Sequence, residues 1–157
     1  MKELSINPFE RFNSDWALVT AGTPERFNSM TISWGSMGTI WNKPVISVYV
    51  RPDRYTWQFL KESETFTVSF FPRAKREALG TMGTLSGRDA DKVKAAGLTP
   101  KVLPDGMTFE EAEETFVCKK IYFHTLDFDA CPEIAQRIYQ NGVHPHYLIM
   151  GEVLRDC

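Results

Sequence analysis

Two short stretches gather cationic side chains at turns, where a small anion can be held. Arg51-Pro52-Asp53-Arg54-Tyr55-Thr56 joins a β-type run to a helical one. Arg51 closes the strand, Pro52-Asp53 makes the turn, and Asp53 or Thr56 is placed to cap the helix. Free N–H groups at a helix start favour an anion, and the guanidiniums of Arg51 and Arg54 match a phosphate through paired hydrogen bonds. The competing assignment is a surface ion pair, with Asp53 as the obvious partner. In the second stretch, Leu85 to Lys92, Ser86-Gly87 leads into a helix start, and Arg88 and Lys92 stand four apart on one side. This is a second anion contact. Gly80, Gly83 and Gly87 lack the spacing and the adjacent Lys-Ser/Thr pair of a Walker loop, and no glycine cluster follows a strand in the dinucleotide-binding pattern.

A third stretch, Asn28 to Trp41, reads as a β-strand with two unlike faces. Met30, Ile32 and Trp34 make a core face. Ser29, Thr31, Ser33 and Gly35 make a face of small hydroxyls ending in no side chain. Short residues leave backbone N–H and C=O groups open to a flat polar ligand, and Gly35 permits closer approach; the alternative is a solvated edge strand. Other candidates are weaker. His144 and His146 share a face of an extended segment, but a metal would need a third ligand and His124 is the remaining histidine. Cys118 lies in an apolar run and reads as a core thiol.

These residues must be positioned by a largely β chain. Apolar runs at Trp16–Gly22, Val45–Val50, Thr65–Phe71, Thr115–Phe123 and His146–Leu154 are rich in Val, Ile, Thr, Tyr and Phe. Thr23-Pro24-Glu25-Arg26 and Asn42-Lys43-Pro44 read as turns. Helices are expected at Tyr55–Ser63, at Arg73–Met82 with Gly80 and Gly83 as stop signals, and at Asp89–Ala96 capped by Asp89. Strands do not alternate with long crossover helices, so the expected architecture is a closed antiparallel barrel with a few short helices.

The 157 residues carry 43% hydrophobic side chains and a net charge of −2, which suits one domain, residues 1–157, and argues against binding by phosphate neutralisation along a nucleic acid. Three cysteines without a C-x-x-C pair, and no apolar run of signal-peptide or membrane-span type, fit a cytoplasmic protein away from the membrane.

Taken in order, NSMTISWG, WNKPV before a hydrophobic strand, VRPDRYT, SGRDADK and the late HYLIMGEV strand resemble the flavin reductase-like family with the FMN-binding split β-barrel fold, near the flavoredoxin branch. The resemblance runs from about Asp15 to Glu152. It implies a homodimer with FMN at or near the subunit interface. It also implies that Asn28, Ser29, Met30, Thr31, Ser33, Trp34 and Gly35 line the ring and ribityl chain, largely through backbone groups. Arg51, Arg54, Tyr55 and Thr56 would approach the phosphate, completed by Ser86, Gly87 and Lys92. Because hydride chemistry belongs to the flavin, no catalytic side chain is expected. The expected function is FMN-dependent oxidation and reduction with NADH or NADPH as donor. The alternatives are an FMN-bound electron carrier reduced by a partner protein and, outside enzymes, a small nucleic-acid-binding barrel.

Overall fold

The structure is a computed structural model that describes residues 6–157. The apolar runs become strands β1 (Ala17–Thr23), β2 (Arg26–Ile32), β3 (Gly35–Ile40), β4 (Lys43–Val50), β5 (Thr65–Phe70), β6 (Pro100–Leu103), β7 (Gly106–Phe109), β8 (Glu114–Thr125) and β9 (Tyr147–Asp156). Helix α1 (Pro8–Glu10) precedes β1, and between the strands lie α2 (Tyr55–Glu62), α3 (Arg76–Thr84), α4 (Lys92–Ala95) and α5 (Glu133–Gln136). Turn chemistry sets the β3–β4 hairpin. Trp41 and Asn42 both adopt positive φ, 51° and 58°, which gives a tight hairpin whose twist matches the strands it joins. Lys43 and Pro44, expected in that turn, already belong to β4.

Seven strands form one antiparallel sheet in the order β2-β1-β5-β8-β9-β4-β3. The two outermost strands of that order are consecutive in the chain, with Ser33 and Trp34 alone between them. Laid flat, a sheet of this width would hold its edges about 29 Å apart, whereas so short a link spans roughly 10 Å. The sheet must therefore curl until its edges approach. No ladder joins β2 to β3 among the described residues, so the barrel is closed in outline and split along that seam. The stretch from Asn28 to Trp41, read as a single strand, is thus two strands at opposite edges of one sheet.

Inward residues fill the barrel. Ala17, Val19, Met30, Ile32, Val48, Phe66, Val68 and Ile149 pack in one cluster, and α2 stops the mouth with Phe59 and Leu60. Lys120 anchors that helix by donating to the carbonyls of Leu60 (2.6 Å) and Lys61 (3.0 Å). A second cluster lies outside the sheet, where Leu18 and Phe71 meet Leu79 and Met82 of α3 and Phe109 of β7. The β6–β7 hairpin, which the sequence pattern did not indicate, crosses β5 and β8. Thr67 donates to the Met107 carbonyl (2.6 Å), and Ser69, Thr108 and Thr115 form a closed set of buried hydroxyl bonds.

The helices differ from expectation in ways that packing explains. Gly80 and Gly83 do not stop α3; they lie within it. A Cβ at Gly83 would stand 3.2 Å from the Thr31 Cβ, so glycine lets the helix lie close on β2. Asp89 does not cap the next helix. Its N–H and that of Ala90 donate to the Ser86 carbonyl in a turn, and Asp91 caps α4 instead by accepting from the Lys94 N–H at 3.1 Å.

Candidate functional site

The two basic turns, far apart in sequence, meet at one cavity of about 180 Å³ beside the start of α2. Asn28, Met30, Arg51, Arg54, Tyr55, Thr56, Ser86, Gly87 and Lys92 all line it, as do Arg88 and Asp53. Four cationic side chains thus face a single carboxylate. The first-turn N–H groups of Tyr55 and Thr56 have no intrahelical acceptor, and no side chain among the described residues caps them. Asp53 and Thr56, expected as caps, are engaged elsewhere. Asp53 takes two hydrogen bonds from Arg51, at 3.0 Å from Nε and 2.9 Å from Nη2, and Thr56 Oγ1 accepts from Asn28 Nδ2 at 2.8 Å. The surface ion pair and the anion cradle therefore coexist.

The remaining cations are fixed by backbone carbonyls. Arg54 donates to the Gly83 carbonyl at 2.7 Å. Arg88 lies over the Tyr55 ring, 4.8 Å from its centroid. Lys92 is 4% exposed and donates to the carbonyls of Met82 (3.3 Å) and Leu85 (3.4 Å), closing the C-terminal end of α3. Among the described residues it forms no ion pair. Burial, with the nearby positive charge of Arg54, lowers its ammonium to about 8. Gly87 is required by contact: a Cβ there would run into the Asn28 side-chain oxygen.

From Met30, Arg51 and Arg54 the cavity continues into a groove of about 410 Å³ along β2, past Thr31, Ile32, Ser33 and Trp34. As the edge strand at the seam, β2 pairs with β1 alone, so its other edge leaves backbone N–H and C=O groups free along the groove. The hydroxyl face itself proves to be something else. Ser29 is fully buried, accepts a hydrogen bond from Thr20 Oγ1 at 2.8 Å, and lines neither space. Thr31 donates to the Leu79 carbonyl of α3 at 2.5 Å. Thr31 thus meets α3 while still lining the groove, and Ser29 is spent on its neighbouring strand.

Two further expectations change. Trp34, expected in the core, is 41% exposed and stacks at a tilt against His146, with ring centroids 4.6 Å apart. Gly35 makes room not for an outside ligand but for Phe12, whose ring occupies the position of its missing side chain. His146, Tyr49 and Ile138 also line the groove and were not singled out from sequence as such. His146 Nδ1 lies 2.9 Å from the Tyr139 hydroxyl, and burial, then the charge of Arg51, lowers its ring to about 4, so it is neutral near pH 7. His144, paired with it by spacing, lines a different cavity with His124. The signal that could have found His146 was its place at the entrance to β9, opposite the Val50 end of β4.

A family model described as "Flavin reductase like domain" matches residues 9–155. Among proteins of curated function, none matches the chain. Solved structures of the same fold include the FMN-binding protein from Thermus thermophilus with bound 1-cyclohex-2-enone, at 22% identity and TM-score 0.71, covering 100% of this chain and 79% of that one. Flavoredoxin of Desulfovibrio vulgaris (Miyazaki F) is 23% identical with a TM-score of 0.70, covering 100% and 75%. The Streptomyces globisporus NADH:FAD oxidoreductase in complex with NAD and FAD fragments is 14% identical with a TM-score of 0.67, covering 91% and 74%. With a split antiparallel barrel, a basic cavity at its seam and a family match over nearly its whole length, this chain belongs to the family of the flavin reductase like domain.

Proposed function

We propose that the chain is an FMN-dependent oxidoreductase that accepts electrons from NADH or NADPH. The observation that carries this is Lys92. A buried ammonium beside Arg54, bonded among the described residues to two neutral carbonyls, is costly unless an anion joins it. The cavity around it has the volume and donors for one phosphate group, and the adjoining groove offers backbone groups and aromatic surface for a flat ring. The residues present therefore fit FMN. Bound there, the flavin would supply the hydride and electron chemistry.

The chain's own groups divide the remaining work. Lys92, Arg54, Arg88 and the α2 N-terminus neutralise the phosphate; Arg51 does so while tied to Asp53. Asn28, fixed by Thr56, and the free edge of β2 orient the polar edge of the ring. Trp34 and the neutral His146 wall the groove with aromatic surface. The reading includes a homodimer, supported by apolar side chains left exposed near the groove, Trp34 and Ile138 among them. It also includes a cytoplasmic setting, supported by three free cysteines. No helix among the described residues is long and apolar enough to cross a membrane.

A second reading, an FMN electron carrier reduced by a partner protein, is favoured by the likeness in fold to flavoredoxin. Anaerobic stopped-flow mixing of the FMN-loaded protein with NADH and with NADPH separates the two. Rapid loss of the flavin absorbance with either donor is expected. Failure of both at a useful rate would remove the reductase and leave the carrier.

A further inference from the structure

The imidazole of His146 is held in the groove wall from several sides. Its own carbonyl accepts from the Leu126 N–H at 2.9 Å, its ring lies against Trp34, and Nδ1 stands 2.9 Å from the Tyr139 hydroxyl. Tyr139 ends the short turn of helix that follows α5. It lines not the groove but a neighbouring apolar cavity of about 670 Å³, which shares Ser33, Trp34, Tyr49 and Ile138 with the groove. The bond from Tyr139 to His146 therefore crosses the wall between the two spaces. Nδ1 is taken up on the far side of that wall, and Nε2 is the nitrogen left for the groove.

The direction of the bond decides what Nε2 carries. Tyr139 is 7% exposed, and its O–H finds no other acceptor among the described residues. A buried O–H without an acceptor is costly. Burial raises the phenol, opposed by the His146 backbone N–H, so the hydroxyl keeps its proton. Burial, then the charge of Arg51, keeps the imidazole neutral near pH 7, with one N–H and one acceptor nitrogen. The pairing that satisfies both groups is O–H donating to Nδ1, which puts the ring proton on Nε2. Nε2 has no hydrogen-bond partner among the described residues. Other donors along the groove are directed elsewhere: Thr31 to the Leu79 carbonyl, Arg54 to the Gly83 carbonyl and Arg51 to Asp53. The hydroxyls of Ser33 and Tyr49 can rotate, whereas the direction of the imidazole N–H is set by the fold.

We propose that His146 holds its proton on Nε2 as a fixed hydrogen-bond donor to the flat ring bound in the groove, and that Tyr139 is the positioning residue that sets this tautomer. That the ring is a flavin rests on the reading above; the tautomer does not.

Nitrogen NMR of the labelled, flavin-free chain reads the tautomer without any substitution. Nδ1 should appear as a hydrogen-bonded acceptor and Nε2 as protonated. In Tyr139→Phe, shown to be folded by its melting curve, the Nδ1 signal should move toward that of an unbonded acceptor. A proton on Nδ1 in the wild type, or an Nδ1 signal that the folded variant leaves in place, would overturn the proposal. FMN titration then separates a donor from an aromatic wall. His146→Phe keeps a ring without a donor, and His146→Gln keeps an N–H without the ring. His146→Phe should weaken FMN about three- to tenfold, the scale of one neutral hydrogen bond, while His146→Gln stays within about twofold of wild type. The opposite order would leave His146 as a wall and sink the donor. Adding FMN to the wild type should also shift the Nε2 signal. FMN bound with Nε2 unmoved would sink this proposal and keep the flavin reading. No uptake of FMN, with Nε2 protonated and Nδ1 bonded, would sink the flavin reading and keep the fixed donor.

Discussion

The basic cavity and the apolar cavity stand at two ends of one groove and are built on opposite principles. The first is small, about 180 Å³, and concentrates four cations from two turns around a helix start. The second is larger, about 670 Å³, and no charged side chain lines it among the described residues. The first pays for its charges with backbone carbonyls: Gly83 for Arg54, and Met82 and Leu85 for Lys92. The second needs no such provision because apolar walls are stable when simply packed. Charged and apolar walls are thus kept in separate places, with Trp34 lining both the groove and the apolar cavity.

The comparison is broken most sharply at Lys92. Lys92→Met should weaken FMN by about 1.5–3 kcal/mol, roughly 10- to 150-fold, the scale of a lost charge-assisted bond. A pH series sharpens this. In the free protein the ammonium titrates near 8, below its ordinary value of 10.5. A bound phosphate favours the charged form, so FMN affinity should fall as pH rises through about 8. The free protein, in contrast, should gain stability between about 8 and 10.5, where the unfolded chain still holds the proton the folded one has released. Calorimetry in buffers of different ionisation enthalpy, together with melts across that range, checks both. A pH-independent affinity in the wild type would dismiss Lys92 as the phosphate contact.

A smaller effect separates the two arginines. Arg54 is held by a neutral carbonyl and keeps its full charge for the cavity, whereas Arg51 is already paired with Asp53. Arg54→Ala should cost roughly 1.5–2 kcal/mol of FMN binding and Arg51→Ala about 0.5–1 kcal/mol, as expected for a charge already paired and half exposed. Fluorescence titration of FMN with each variant reads the order directly; a reversed order would place the phosphate on the other side of the turn.

The smallest effect concerns the hydroxyl face. Thr31→Val removes the bond to the Leu79 carbonyl and should lower stability by about 1 kcal/mol. FMN binding, for which β2 offers its backbone edge, should change little. If chemical denaturation shows no loss while FMN weakens tenfold, that face serves a ligand after all.

Much of the fold was legible because apolar runs and turn residues act locally. The strand at Val45–Val50 and the helix from Tyr55 needed only periodicity and a proline-containing turn. The β6–β7 hairpin was not legible, since its four-residue strands are too short to show a pattern and are held by hydroxyls of β5 and β8. His146 escaped for a related reason. Its stacking partner Trp34 comes from a distant segment that only the fold brings beside it.

The sequence by itself determined that two turns were cationic, that the chain was mostly β, and which family its motifs resembled; each depends on residue type and near neighbours. Only the tertiary structure decided that both turns serve one cavity, and that the strand from Asn28 breaks at Ser33-Trp34 so that a barrel closes around a seam. It also decided that Ser29 is buried against Thr20, and that Thr31 meets α3 at the edge of the groove. A short side chain in a strand reports that something lies close to it. Whether that neighbour is a ligand or a helix depends on contacts between residues far apart in the chain, which periodicity does not record.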